Sequence, residues 1–309
     1  RSHGERRRVS TFVPVPRQVA SLGPAAVATM VGLTFSWALN TVAGKVALAA
    51  FNPILLSVLR SGIAVVLVYA WCRYRSVPIF SRDGSLVGGL LAGALFGFEF
   101  ALIYVALDYT SVSRLTLTLN TMPFWVLIGA HLLLGERMSA MKFAGLVLAF
   151  AGVALVFADK LSLPGPNALI GDAMGLAAGV LWAGTTLVIR RTKLVESSAE
   201  KILLYQLTVG SIVVLPLFGL GGPAIREMSS IAILALLFQA VFVVAFTYIV
   251  WFGMMRRYPA ASLSSFTFLT PVFGVLCGGI LLGEPLSPIL FAALALVAAG
   301  LLLVNRPTR

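Results

Sequence analysis

Residues 132–156 read LLLGERMSAMKFAGLVLAFAGVALV, and residues 281–304 read LLGEPLSPILFAALALVAAGLLLV. In both, a Gly-Glu pair separates two apolar runs, and a serine shortly after it opens the second. A shift of 148 residues lays Pro123 on Pro271, Gly135 on Gly283, Glu136 on Glu284, Ser139 on Ser287 and Gly152 on Gly300; 14 of the 34 positions from 123 to 156 are then identical. Leucine-rich segments match by chance, but the Pro, Gly-Glu and Ser coincidences are not leucine statistics. A shift of 145 lays WALNTVAGK (Trp37 to Lys45) on WAGTTLVIR (Trp182 to Arg190), matching Trp, Ala, Thr and a terminal cation. The chain is two copies of one unit.

The unit is built for lipid. Of 309 residues, 59% are hydrophobic and only 11% charged, against about 25% charged in a soluble domain. Apolar runs fall at approximately 24–47, 53–74, 84–107, 112–134, 139–158, 168–190, 200–219, 229–254, 260–282 and 286–305. Runs of about 20 residues cross about 30 Å of hydrocarbon as helices, whereas a membrane barrel would show short segments of period two. The fold class is therefore an all-α membrane protein with ten transmembrane helices.

The net charge of +12 sits at the ends of the apolar runs, not on one solvated face. It points to membrane topology and away from nucleic acid. With both termini on one side, that side holds 18 Lys and Arg and the other holds four (Lys45, Arg114, Lys160 and Arg226), with Arg60 inside the second run. Positive residues stay cytoplasmic, so both termini are expected in the cytoplasm, consistent with a bacterial cytoplasmic membrane. The segment RRRVSTF faintly resembles a twin-arginine signal, but VPVPRQ follows where an apolar stretch is required. Residues 1–23 are read as a cytoplasmic tail, 24–158 as the first five-helix repeat, 159–167 as a linker, 168–305 as the second repeat and 306–309 as a C-terminal tail. Five is odd, so the second repeat enters the membrane inverted. Inverted repeats are a common plan of secondary transporters, with substrate held near the midplane between them.

The pattern ALDYTSVSRLTLTLNTMPFWVLIGAHLLLGERMSAMKFAGLVLAFAG, its second copy, and NPILLSVLR opening the second helix resemble the drug/metabolite transporter superfamily. Within it they are similar to the ten-helix EamA-type exporters, which include bacterial amino-acid exporters of the YddG group. The resemblance covers roughly residues 24–305. It implies outward movement of amino acids, neutral and aromatic ones included, or of similar small metabolites by alternating access. Carriage of another metabolite, such as a phosphorylated sugar or a drug-like compound, is the alternative, with a channel behind it. A dianionic substrate would demand several central cations, and only Arg60 and Lys45 qualify.

Polar groups inside the membrane point to the pathway, because a charge at the bilayer centre costs about 2.5–3.5 kcal/mol on insertion scales. Glu99 is the deepest carboxylate, and Arg60 lies at a similar depth. They form a structural ion pair, or Glu99 is a substrate-ammonium or proton site. The second repeat carries Gln206 where the first has Arg60. Trp37, Asn40, Thr41 and Gly44 share one helix face, and Trp182, Thr185, Thr186 and Ile189 repeat that spacing. Each face suits an amphiphilic solute or simple packing. Asn120, Gln239, Tyr248 and Ser265 complete the candidate substrate-binding set. Pro123 and Pro271 are expected to kink helices four and nine, freeing the carbonyls of Leu119 and Thr267. Gly135 and Gly283 are expected to allow tight turns, with Glu136 and Glu284 capping the following helices. Gly89, Gly93, Gly97 and Gly171, Gly175, Gly179 read as packing seams. No phosphate loop, HExxH, GxSxG or pair of membrane-embedded aspartates is present. The sequence therefore implies no cofactor, metal or enzyme activity. The expected partners are a small-molecule substrate and membrane lipid.

Overall fold

Proline at a helix start and a hydroxyl or amide side chain just before it recur along the chain, and they set where its helices begin. In the computed structural model, which describes residues 22–106, 109–158, 165–282 and 288–306, Asn52 accepts the Ile54 amide at 2.8 Å ahead of Pro53. Ser111, Ser139, Ser198 and Ser229 cap four more helices in the same way, each satisfying an amide that the helix itself leaves unpaired. The first repeat comprises α1 (Pro24–Leu48), α2 (Pro53–Tyr74), α3 (Leu86–Ala106), α4 (Val112–Leu119), α5 (Met122–Leu134) and α6 (Ala140–Val156). The second comprises α7 (Ala168–Arg191), α8 (Ala199–Val214), α9 (Ser230–Leu237), α10 (Tyr248–Met255), α11 (Ala260–Ser265), α12 (Leu269–Leu282) and α13 (Ile289–Val304).

Three crossings are composite. The fourth joins α4 to α5 across Asn120 and Thr121, the eighth joins α9 to α10 through a π-helical stretch (Phe238–Thr247), and the ninth joins α11 to α12 through a 3-10 turn (Phe266–Phe268). Eight segments are long and apolar enough to span a membrane, and α6 and α13 are shorter apolar helices of 17 and 16 residues. The protein is thus a ten-helix membrane protein. Most of residues 1–23, residues 159–164, Gly283, Glu284, Ser287 and the side chains of Thr41 and Lys45 lie outside the described residues.

Both crossings are interrupted beside the prolines expected to kink them. Pro123 is the second residue of α5, just after the turn at Asn120 and Thr121, and Pro271 is the third residue of α12, just past the 3-10 turn. Pro123 lies near a helix start, where a missing N–H is harmless. The polar residues at these breaks bond back to their own backbone: Thr121 to the Thr118 carbonyl at 2.7 Å, Asn120 to Thr116 at 2.8 Å, and Thr267 to Ser264 at 2.7 Å.

Packing runs mainly between the repeats. α6 lies along α13, α3 along α7 and α8, α2 along α8 and the π stretch, α5 along α7, and α1 along α12 and α9. Contacts within a repeat, such as α1 with α2 or α5 with α6, are slight. Glycine makes these close approaches possible. A Cβ placed on Gly97 of α3 would fall 2.8 Å from the Gly210 carbonyl oxygen of α8, and one on Gly145 would fall 2.8 Å from that of Gly300. The second expected seam, at Gly171, Gly175 and Gly179, receives Thr110, Thr118 and the Leu119 carbonyl from the fourth crossing. Without a hydrophobic drive between helices in lipid, such backbone proximity is what holds them together.

Candidate functional site

Between the repeats lies a cavity of about 530 Å³. The first repeat lines it with Trp37, Asn40 and Gly44 of α1, Arg60 of α2, Phe96, Glu99, Phe100 and Ile103 of α3, and Leu115, Thr116, Leu119 and Asn120 of the fourth crossing. The second contributes Trp182, Thr185, Thr186 and Ile189 of α7, Gln206 of α8, Gln239, Tyr248, Trp251, Phe252 and Met255 of the eighth crossing, and Thr267, Thr270, Pro271 and Gly274 of the ninth. The Trp-containing faces of α1 and α7 thus meet around one space.

The two tryptophans are held differently. Trp37 donates its indole N–H to Thr247 Oγ1 at 3.0 Å and packs edge-on against Trp251 and Tyr248, with ring centroids 5.3 and 6.2 Å away. Thr247 in turn donates to the Val243 carbonyl at 2.6 Å within the π stretch. π-helical turns are rare and gather at functional positions; here the stretch presents Gln239 and Thr247 to α1. Trp182 packs beside Met122, Val126 and Ala183. Thr185 and Thr186 bond back to the carbonyls of Leu181 and Trp182 at 3.0 and 3.2 Å.

Ser265 departs from the expected set. It is fully buried, its hydroxyl donates to the Ser262 carbonyl at 2.8 Å, and it does not line the cavity. Sequence reasoning passed over Gln206 as a lining residue, as well as Thr116, Thr270, Phe100 and Trp251. For Gln206 the signal was available, since it is the counterpart of Arg60.

Arg60 and Glu99 are 2% and 4% exposed. The expected structural ion pair is not formed: among the described residues, contacts at 4.0 Å or less join Arg114 to Asp172, Arg190 to Glu136 and Lys201 to Asp83. Arg60 instead lies over the Phe100 ring, its guanidinium carbon 4.2 Å from the centroid. Its Nε and Nη2, Oε2 of Glu99, Nε2 of Gln206 and Gln239, Oδ1 of Asn40 and Oγ1 of Thr270 are buried without hydrogen-bond partners.

At one end the repeats are joined by a cluster of hydrogen bonds. Where α1 begins and α13 ends, Glu136 Oε1 accepts Arg190 Nη2 and the Ala260 amide, both at 3.1 Å. Arg190 also donates to the carbonyls of Met255, at 2.7 Å, and Tyr258. Gly135, in the left-handed conformation at φ 69°, ends α5 so that Glu136 can reach across. This corrects the expected role of Glu136: Ser139 caps the following helix, and the glutamate caps α11 of the other repeat. At this end Asp83 also pairs with Lys201 at 2.7 Å. Burial alone would raise the Asp83 carboxyl, but hydrogen bonds from Lys201, Ser85 and Ser81 outweigh it and hold the group well below the usual carboxylate range.

A doubled five-helix unit enclosing a midplane cavity has close counterparts among known proteins. The sequence matches the EamA-like transporter family over residues 24–158 and again over 169–306. The chain belongs to the EamA-like transporter family. This EamA-like transporter is 31% identical over 290 residues to the uncharacterized transporter YvbV of Bacillus subtilis, covering 90% of each chain. It is 27% identical over 278 residues to a probable amino-acid metabolite efflux pump of Escherichia coli, covering 86% of this chain and 89% of that one. A solved crystal structure shares the fold of this EamA-like transporter with a TM-score of 0.76 at 22% identity, over 90% of this chain and 94% of that one.

Proposed function

We propose that this chain is a secondary transporter that moves amino acids or similar small metabolites outward across a bacterial cytoplasmic membrane by alternating access, with both termini in the cytoplasm. The observation that carries this reading is a cavity walled by both repeats, which a cluster of hydrogen bonds joins at one end. Rocking one inverted repeat against the other exposes a fixed site first to one side and then to the other. The glycine seams supply smooth surfaces for that movement. That cluster lies at the end rich in Lys and Arg, and the positive-inside rule supports reading this end as cytoplasmic. The lining continues to Leu48 and Phe157 at the opposite ends of α1 and α6.

Support for amino acids comes from the walls, which are aromatic and amide-rich with one guanidinium and one carboxylate, and from the efflux-pump relatives. Lipid is the surrounding partner; α6 and α13 carry exposed Phe143, Val147, Phe291 and Leu302, which suits an acyl-chain environment. Counterflow of labelled amino acids into proteoliposomes, with and without a pH gradient, tests the reading. Saturable uptake accelerated by unlabelled amino acid inside is the expected result. Uptake without that acceleration would indicate a channel, and no uptake of any amino acid would remove the substrate assignment.

A further inference from the structure

We propose that Arg60 and Glu99 form a two-charge subsite that selects zwitterions. Arg60 receives a free carboxylate, Glu99 receives a free primary ammonium, and the rest of the solute lies against the aromatic wall of Trp37, Tyr248 and Trp251. This rests on the amino-acid reading above and deepens it.

The geometry of Arg60 carries the inference. Its two orphaned nitrogens, Nε and Nη2, form one edge of the guanidinium plane, and that edge matches a carboxylate in a two-bond fork. Phe100 occupies the face of the guanidinium. A cation–π contact uses the face and leaves the in-plane donors unused. An arginine held flat by an aromatic ring, buried, with a free fork aimed at no protein acceptor, is prepared for an anionic group that arrives from elsewhere.

Glu99 completes the pair. A buried carboxylate oxygen with no donor is a costly arrangement unless a ligand or proton supplies one. The two side chains share one cavity yet stand more than 4.0 Å apart, so neither neutralises the other by direct contact. A solute carrying an ammonium and a carboxylate on one carbon can offer a partner to each. A solute with one charge leaves the other protein charge buried and unpaired, a penalty that discriminates more sharply than any gain from contact. The second repeat, with Gln206 at the place of Arg60, offers no second fork, so the site has one polarity and takes one solute.

Competition against counterflow of a labelled neutral amino acid by the native protein tests this. Three unlabelled competitors are compared: the same amino acid, its carboxamide and its N-acetyl derivative. Each derivative is expected to compete about 10- to 100-fold more weakly than the parent, the loss of one charge-assisted partner. Arg60→Gln should abolish discrimination against the carboxamide alone, and Glu99→Gln against the N-acetyl derivative alone. Because the native panel needs no variant, a misfolded substitution leaves the test intact. If the derivatives compete as well as the parent, or folded variants keep native discrimination, the subsite is overturned while amino-acid transport stands. Absence of counterflow by every amino acid overturns the transport reading and this inference with it.

Discussion

Neutralising Glu136 should loosen the joint between the repeats at the Arg190 end of the cavity. Its Oε1 accepts two hydrogen bonds, from Arg190 and from the Ala260 amide, and the Arg190 side chain is only 3% exposed. In Glu136→Gln the side-chain carbonyl can still accept both, but as a neutral group. The Ala260 bond becomes a neutral one and loses about 1 kcal/mol, and the Arg190 bond keeps its charged donor but loses the opposite charge for about 1 kcal/mol more, about 2 kcal/mol together. That corresponds to a roughly 30-fold shift toward the open form. Arg190 keeps the carbonyls of Met255 and Tyr258, so the fold should survive. The assay places a reporter as Ile189→Cys, a position with no exposed surface, after the buried native thiols Cys72 and Cys277 are changed to alanine. A membrane-impermeant maleimide is applied from the cytoplasmic face. When opening and closing are fast, labelling tracks the open population, so the rate should rise about as much as that population. Glu196→Gln, at an exposed carboxylate nearby, is the control. A labelling rate unchanged by Glu136→Gln would refute the gate.

Three further outcomes follow from the packing and the charges. Gly97→Val places methyl groups against the Gly210 backbone and should lower stability in detergent by about 1–3 kcal/mol, whereas Gly32→Ala, with open space around it, should not; a thermal melt followed by size-exclusion distinguishes them. Thr247→Val removes the hydroxyl that accepts the Trp37 indole N–H at a cost of about 1 kcal/mol, and should weaken competition by aromatic amino acids in the counterflow assay. The Asp83 carboxyl titrates lower in the folded protein than unfolded, so its contribution is full above the unfolded value near ~3.9 and fades as pH falls below it. Asp83→Asn should therefore lower stability at neutral pH and flatten its decline below about pH 4, measured as melting temperature against pH.

The Gly-Glu repeat made the architecture legible because a proline, a Gly-Glu pair and a serine recur at one fixed spacing, and a coincidence of that kind survives the noise of leucine. The lining was legible where a polar residue sat mid-helix with its spacing repeated, as with Trp37 and Trp182. It failed where a hydroxyl had a nearer partner: Ser265 bonds to Ser262, a choice that periodicity does not reveal. The reach of Glu136 into the other repeat was invisible for a different reason. A glutamate after a helix-ending glycine fits the local capping pattern, and only the tertiary approach of α7 and α11 offers it a better pair of donors. The break at Asn120 was half legible, since proline announces an interruption without saying whether the helix bends or stops.

The dominance of contacts between repeats bears on how the chain is made. α3, α5 and α6 find their glycine-mediated partners in α7, α8 and α13, all synthesised later. The first five helices leave the ribosome and enter the bilayer with those surfaces turned to lipid. α3 and α5 can pack once α7 and α8 are present, whereas α6 waits for α13. A chain truncated before Ile289 is therefore left with an unfilled face on α6.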